Sequence, residues 1–421
     1  MKTFWRRMLE HPLARVGPGL ITGAADDDPG GIATYSQAGA QYGLAMLWTM
    51  PLSFPLMAAV QSMCARIGRV TGRGLAANMA AQFPMPVVRA AVLLLLLANT
   101  LNIAADIAAM GETAELVTGV NRRLMTVSFA TCMLLAQVYV PYHRYVRLLR
   151  WLTASLLAYA AVLFTVHVPW RTVGLRTLWP AFVADRPAAT VIVALFGTTI
   201  SPYLFFWQAS EEVEDMAAAP RTTALLQDPR PAAHELRRIG WDTWSGMFYS
   251  NACAYCIILA TALTLHAAGI TQIDTAAQAA GALRPLAGDF AFELFALGIL
   301  GVGLIGVPVL AGSGAYALAE VMRWKSGLEH RAADARGFYG VIALSMLCAL
   351  AIQYLPFSPM RALFWSAVLN GVVSVPLIVM VVLLASRRSV LGEYRAGRTA
   401  IVLGCITAVL MGAAAVRMFV D

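Results

Sequence analysis

Apolar stretches of roughly 20 residues recur along almost the whole chain, the length an α-helix needs to cross a ~30 Å hydrocarbon core. Of its 421 residues, 59% are hydrophobic and 13% charged, where a soluble chain carries about 25% charged residues. Mean hydropathy is +0.67. The implied fold class is an all-α polytopic membrane protein, because the short alternating segments of a membrane β-barrel do not occur. The expected spans are 15–38, 44–65, 87–117, 125–141, 148–168, 188–213, 242–266, 289–322, 337–355, 361–386 and 399–419. Most connections are short. The longest, a basic loop at 216–240 with Pro220, Pro229 and Pro231 and a stretch at about 267–288, are too small for domains, so 1–421 reads as one membrane domain.

The net charge of +8 sorts by loop. One side carries Lys2, Arg6, Arg7, Arg66, Arg69, Arg73, Arg144, Arg147, Arg150 and the basic residues of 221–238, 323–336 and 387–398. The other carries Arg122, Arg123, Arg171, Arg176, Arg186, Arg284, Arg361 and Arg417. Positive loops face the cytoplasm, which places the N-terminus inside and the C-terminus outside the cell (inner) membrane. The basic balance therefore reports topology and contact with anionic lipid, and no nucleic-acid partner is expected. Met1–Pro12 is polar and basic, without a cleavage pattern, so no signal peptide is expected.

Within the first apolar segment stand Asp26, Asp27 and Asp28, followed by Pro29, Gly30 and Gly31. A carboxylate at mid-bilayer costs roughly 2.5–3.5 kcal/mol on insertion scales, and intramembrane acids mark ion or substrate sites by default. Proline removes a backbone donor and glycine tolerates unwound dihedrals, so the helix is expected to break here. The sixth span has the same character at Gly197-Thr198-Thr199-Ile200-Ser201-Pro202. Two interrupted spans, five apart, point to an inverted-repeat secondary transporter. Repeat one covers about 15–168, repeat two about 188–386, and 399–419 is an extra helix. On an intact helix three successive aspartates point about 100° apart and cannot converge. Only unwinding beside Pro29 brings two of them near one ion; otherwise Asp26 and Asp27 face another polar helix, such as the third.

Gly17-Pro18-Gly19 followed by Asp28-Pro29-Gly30 resembles the first-helix signature of the Nramp divalent-metal transporters, GPG…DPGN. Ser201-Pro202-Tyr203 lines up with that family's methionine-proline-histidine, and Asp106 with its third-helix aspartate. The resemblance implies a LeuT-like fold, a 5+5 inverted repeat of about eleven helices. It also implies a cation held between the unwound middles of helices 1 and 6, and no resident cofactor beyond the metal substrate. Asp28 matches the coordinating aspartate; Pro29, Gly30 and Pro202 match the helix-unwinding residues, with Gly31 added; Asp106 matches a residue of the proton route. The chain departs from the pattern at Gly31 (asparagine in the family), Ser201 (methionine), Tyr203 (histidine), Ala109 (an acid) and Asn99 (often glutamate), and carries Thr198 one turn before Ser201.

A thioether favours soft ions, whereas hydroxyl and carboxylate oxygens suit magnesium and manganese. The substitutions make the candidate site all-oxygen and more anionic, which resembles the magnesium-transporting branch of the Nramp superfamily; the substrate this implies is Mg²⁺, or Mn²⁺ within a broad range of divalent ions. Candidate ligands are Asp28, Asp27, Asp26, Thr198, Ser201 and, from the tenth span, Asn370. Asn99, Asn102 and Asp106 share one face of the third span and are expected to line the pathway or form an interhelical polar seam. With Tyr203 and Ala109 in place of proton-route residues, weak or absent proton coupling is expected. Glu211, Glu212, Glu214 and Asp215 end the sixth span; they read as a solvated helix end, with Glu211 a candidate exit residue.

Other motifs resolve to packing. Gly301-Val302-Gly303-Leu304-Ile305-Gly306 matches a dinucleotide motif but lies in an apolar span with no preceding strand, so close helix packing is expected. Cys253-Ala-Tyr-Cys256 reads as buried thiols, and no two histidines have metal-ligand spacing. Competing functions are an amino-acid or organic-cation carrier on the same fold, an intramembrane hydrolase pairing Asp28 with Asp106, and a non-transporting sensor. The last lacks the soluble domain expected of it. A monomer bound to lipid is the expected state.

Overall fold

Prolines and glycines decide where this helical protein bends. The computed structural model describes residues 18–140, 156–180, 186–218, 222–328, 330–355 and 358–420. Among the described residues there are helices and turns but no strand. The helices that frame the site are α1 (Pro18–Asp26), α2 (Pro29–Tyr42), α3 (Thr49–Thr71), α4 (Met85–Thr118), α5 (Arg122–Tyr139), α6 (Arg186–Thr199), α7 (Pro202–Ala218), α8 (Ala232–Thr261), α9 (Ala291–Met322), α10 (Arg336–Ile352), α11 (Pro359–Ser386) and α12 (Arg398–Val420).

A helix stands at every expected span, though in the fifth the described helix is only Leu157–Val162; Gly17 and residues 148–155 lie outside the described residues. Among the described residues, six stretches suffice by length and composition to cross a membrane: Met85–Thr118, Arg186–Ala218, Ala232–His266, Ala276–Met322, Pro359–Ser386 and Arg398–Val420. Pro29–Met46 and Thr49–Thr71 are long and apolar enough only when taken together, and they meet at 113°. Two boundaries differ from expectation. Helix α8 begins at Ala232, ten residues before the expected 242, and the stretch 267–288 contains short helices such as Ala276–Ala280, whose Thr275 and Gln278 form a capping box.

The first and sixth spans are both broken, as expected. Helix α1 ends at Asp26 and α2 starts at Pro29; α6 ends at Thr199 and α7 starts at Pro202. Proline alone does not cause this, because Pro55, Pro308 and Pro376 lie inside continuous helices. At the two breaks a polar side chain precedes the proline and takes over freed backbone groups. Asp28 caps α2, accepting the Gly31 N–H at 2.7 Å. Ser201 shares its hydroxyl proton between the carbonyls of Gly197 (2.9 Å) and Thr198 (2.8 Å).

Glycines bring the broken helices against their supports. A Cβ at Gly23 would collide with the Gly246 backbone, so α1 lies flush on α8; a Cβ at Gly197 would collide with the Ala367 carbonyl and the Gly371 amide, so α6 lies flush on α11. Helix α4 packs along α9 and α11, and α7 fits between α3 and α9. Outward faces are apolar: Leu93, Leu94 and Leu97 on α4 and Val402, Val409 and Phe419 on α12 are exposed, which suits lipid and not water.

These contacts set an expectation for stability. Overpacking a helix contact costs about 1–3 kcal/mol, so Gly23→Val lowers the melting temperature of the detergent-solubilised protein by several degrees. Gly240→Ala, where no atom stands within 4 Å of a new Cβ, leaves it unchanged. A fluorescence-monitored thermal melt of the two variants checks this.

Candidate functional site

Asp28 is the meeting point of the two breaks. One of its oxygens accepts from Gly31 N–H; the other accepts from Asn102 Nδ2 of α4 at 3.1 Å and lies 3.3 Å from the Tyr203 hydroxyl of α7. The Tyr203 hydroxyl donates at 2.9 Å to the carbonyl of Ala25, a group left free where α1 stops. Thus a side chain from the second break satisfies backbone exposed by the first. Asp28 is 3% exposed and Tyr203 0%, so the junction is buried.

The other expected residues fall into three groups. Asp106 is fully buried beside Asp28 and the Gly30 amide, and neither of its carboxylate oxygens has a partner in normal hydrogen-bond geometry. Thr198 sits across from Gly31, its Oγ1 3.3 Å from where a Cβ would stand. Ser201, 1% exposed, keeps its lone pairs free while its proton is committed. Asn370 is buried on α11 with Oδ1 unpartnered; one turn later, Ser374 donates at 2.8 Å to the carbonyl of Ile200 in the second break. Asp28, Asn102, Asp106, Thr198, Ser201 and Tyr203 therefore belong to one junction, with Asn370 one turn from its edge.

Asp26 and Asp27 turn elsewhere. The hydroxyl of Ser250 on α8 reaches Asp26 Oδ2 at 2.6 Å and Asp27 Oδ1 at 3.0 Å. The polar helix they face is thus the seventh span and not the third, because α1 is zipped to α8 through Gly23 and Gly246. Their remaining oxygens, Asp26 Oδ1 and Asp27 Oδ2, are without partners among the described residues. Asn99 turns away from the junction: its amide donates at 2.9 Å to both the Leu310 carbonyl and Ser313 Oγ of α9, a seam between helices.

The acidic end of α7 corrects one expectation. Glu211 is 8% exposed and Glu212 0%, so this is not a solvated helix end. Glu212 is paired with Arg238 of α8 at 2.6 Å, and Glu214 accepts from Tyr316 and from the Leu328 amide. Arg238 of α8 covers Glu212, while Glu214 is half-buried and Asp215, the last of the four acids, is exposed.

Sequence reasoning missed Ser250, Ser374 and Gly306. Nothing in the sequence around Ser250 singles it out. Ser374 was within reach, since it follows Asn370 by four residues on the same helix face. Gly306 was noticed only as packing, yet a Cβ there would stand 3.0 Å from that of Asp28, so bare backbone forms the wall behind the carboxylate. The other motif readings hold: Gly303 packs against Met110, and Cys253 and Cys256 are free thiols.

Chemically, the junction offers oxygen. Among the described residues no three His, Cys, Asp or Glu side chains are gathered as a preformed metal centre. What converges is Asp28 with Asp106 nearby, amide and hydroxyl groups, and the backbone ends of four half-helices. Such a mixed set suits a cation that binds and leaves, rather than one held permanently.

The chain's relatives agree with this geometry. The family pattern described as Nramp, natural resistance-associated macrophage protein-like, matches residues 19–421. A protein named divalent metal cation transporter MntH from Verminephrobacter eiseniae is 27% identical over 382 residues, covering 86% of this chain and 82% of its own. A protein of the same name from Mycobacterium tuberculosis is 27% identical over 360 residues, 84% and 78% of the two chains. Among solved structures, a manganese transporter of Eremococcus coleocola superposes with a TM-score of 0.72 at 16% identity, covering 98% and 86%. Mhp1, a nucleobase-cation-symport-1 family transporter, gives 0.60 at 14% identity, covering 96% and 90%. The fold is the LeuT-like one expected from the two broken spans, and with nearly its full length matched, the chain belongs to the Nramp family.

Proposed function

We propose that this protein carries divalent metal cations into the cell across the inner membrane by alternating access, accepting Mg²⁺, Mn²⁺ and similar hard ions. One observation carries the reading: the single carboxylate joining both broken spans, Asp28, is surrounded by oxygen and nitrogen groups with no thioether among them. The names borne by the relatives, divalent metal cation transporter and manganese transporter, support the substrate class. Oxygen-only coordination favours hard ions over soft ones.

An amino-acid carrier is disfavoured by the same geometry. Such a carrier holds the substrate carboxylate at a half-helix N-terminus, and here Asp28 already occupies the N-terminus of α2. Inward movement needs no proton in this proposal. The membrane potential supplies about 2.3 kcal/mol per charge per 100 mV, hence roughly twice that for a divalent ion. Ala109 and Tyr203 replace the residues that the resemblance assigns to the proton route. The N-terminus lies in the cytoplasm, residues 1–421 act as one membrane domain and a monomer, and the metal is substrate rather than resident cofactor.

The test is uptake of Mn²⁺ and Mg²⁺ into proteoliposomes. Asp28→Ala abolishes uptake of both, a loss of at least ~50-fold. Ser201→Met shifts preference away from Mg²⁺ and towards softer ions such as Cd²⁺, read by competition, by adding a soft donor. A luminal pH dye records no stoichiometric acidification during uptake; one proton per ion would overturn the uncoupled mechanism. Gly306→Val, which pushes on Asp28, weakens Mn²⁺ binding measured by titration calorimetry by roughly 10-fold. Gly303→Ala does not, because the Met110 it meets is flexible.

A further inference from the structure

Below the Asp28 junction lies a buried polar pair that the site itself does not use. Thr22 of α1 donates its hydroxyl to Gln208 Oε1 of α7 at 2.5 Å, and both residues are fully buried. The Gln208 amide nitrogen has no hydrogen-bond partner among the described residues. A leucine would fill that space without stranding a donor, so an amide here calls for a purpose.

Its placement supplies one. Gln208 follows Ser201 by seven residues, which puts it on the same face roughly 10 Å further along the helix. Glu211 and Glu212 follow three and four residues later, again on that face. On α1, Thr22 precedes Ala25 by three residues and Asp28 by six. The same two helices are therefore tied at successive levels, first by Tyr203 to the Ala25 carbonyl and then by Thr22 to Gln208. At the next level, Glu212 binds Arg238, and Asp242 accepts the Gly19 N–H at 2.7 Å. The adjoining flank of α7 is aromatic: Trp207 is fully buried and packs edge-on against Tyr316 of α9, ring centroids 6.1 Å apart.

We infer that Thr22 and Gln208 form a second oxygen station for the departing cation, on an inward route between α1 and α7 that runs from Asp28 to Glu211. The inference rests on the cation-transport reading above. A divalent ion that leaves Asp28 directly for the cytoplasmic acids would cross an apolar wall without ligands. When α1 and α7 part, the Thr22 hydroxyl and the Gln208 amide lose each other and present two oxygens at the midpoint. The amide's oxygen and nitrogen exchange places by a half-turn of the side chain, so the oxygen is available to the ion. Hard, partly hydrated ions accept amide and hydroxyl oxygens of this kind.

The experiment uses the full chain with Mn²⁺ as probe, measuring affinity by calorimetry and initial uptake rate in proteoliposomes. In Gln208→Leu the affinity stays within ~3-fold of wild type while the maximal rate falls at least ~10-fold, and Gln208→Glu, which keeps an oxygen, retains about a third of the rate or more. A wild-type rate in Gln208→Leu overturns the inference and leaves the cation-transport reading standing. So does parallel loss of affinity and rate in both variants, which marks a structural role. If wild type neither binds nor moves Mn²⁺ or Mg²⁺, the transport reading itself fails, and the inference with it.

Discussion

Backbone groups exposed at membrane depth have to find partners inside the protein, since lipid offers none. Two helices stop and restart in this chain, and the freed groups are satisfied by a small set of side chains. Asp28 takes the Gly31 amide, Tyr203 takes the Ala25 carbonyl, Ser201 takes the carbonyls of Gly197 and Thr198, and Ser374 takes that of Ile200. Two of these bonds, Tyr203 to Ala25 and Ser374 to Ile200, cross between the first, sixth and tenth spans, so the breaks support each other. The same arrangement gathers the Asp28 carboxylate and the Thr198, Ser201 and Tyr203 hydroxyls at one junction. Structural satisfaction of the backbone and the capacity to hold a cation come from one set of residues.

The aspartate triplet divides its work along this line. Asp28 belongs to the junction, whereas Asp26 and Asp27 share Ser250 and join α1 to α8. Glycine contacts on the same strip, Gly19 against Asp242 and Thr243 and Gly23 against Gly246, bring the two helices close enough for that bond. Helix α1 is thus fastened to α8 along its length, while its contacts with α7 are the separate bonds Tyr203–Ala25 and Thr22–Gln208. That asymmetry makes the α1–α7 seam the weaker one, and so the natural place for the protein to part.

Much of this was legible in the sequence, for identifiable reasons. The spans follow from hydropathy, and the two breaks from proline beside aspartate, serine and glycine. What separates them from Pro55, Pro308 and Pro376 is the polar residue just before the proline, a local signal. The partners of Asp26 and Asp27 were not legible, because which face of α1 meets which helix is set by glycine contacts between distant segments. The buried state of Glu211 and Glu212 was equally hidden: acids at a helix end look solvated until Arg238, two residues inside the expected loop's far end, pairs with Glu212. Asn99 shows the same limit, since its spacing with Asn102 and Asp106 places it on a shared face but its partners lie on α9.

The account stands or falls on where the ion sits. A crystal structure of the protein soaked in Mn²⁺, with the metal identified by its anomalous X-ray scattering, addresses that directly. The account predicts one metal peak within coordination distance of Asp28 and facing the Thr198–Ser201 break. A peak between Asp26, Asp27 and Ser250, or none at Asp28 under saturating Mn²⁺, would contradict it.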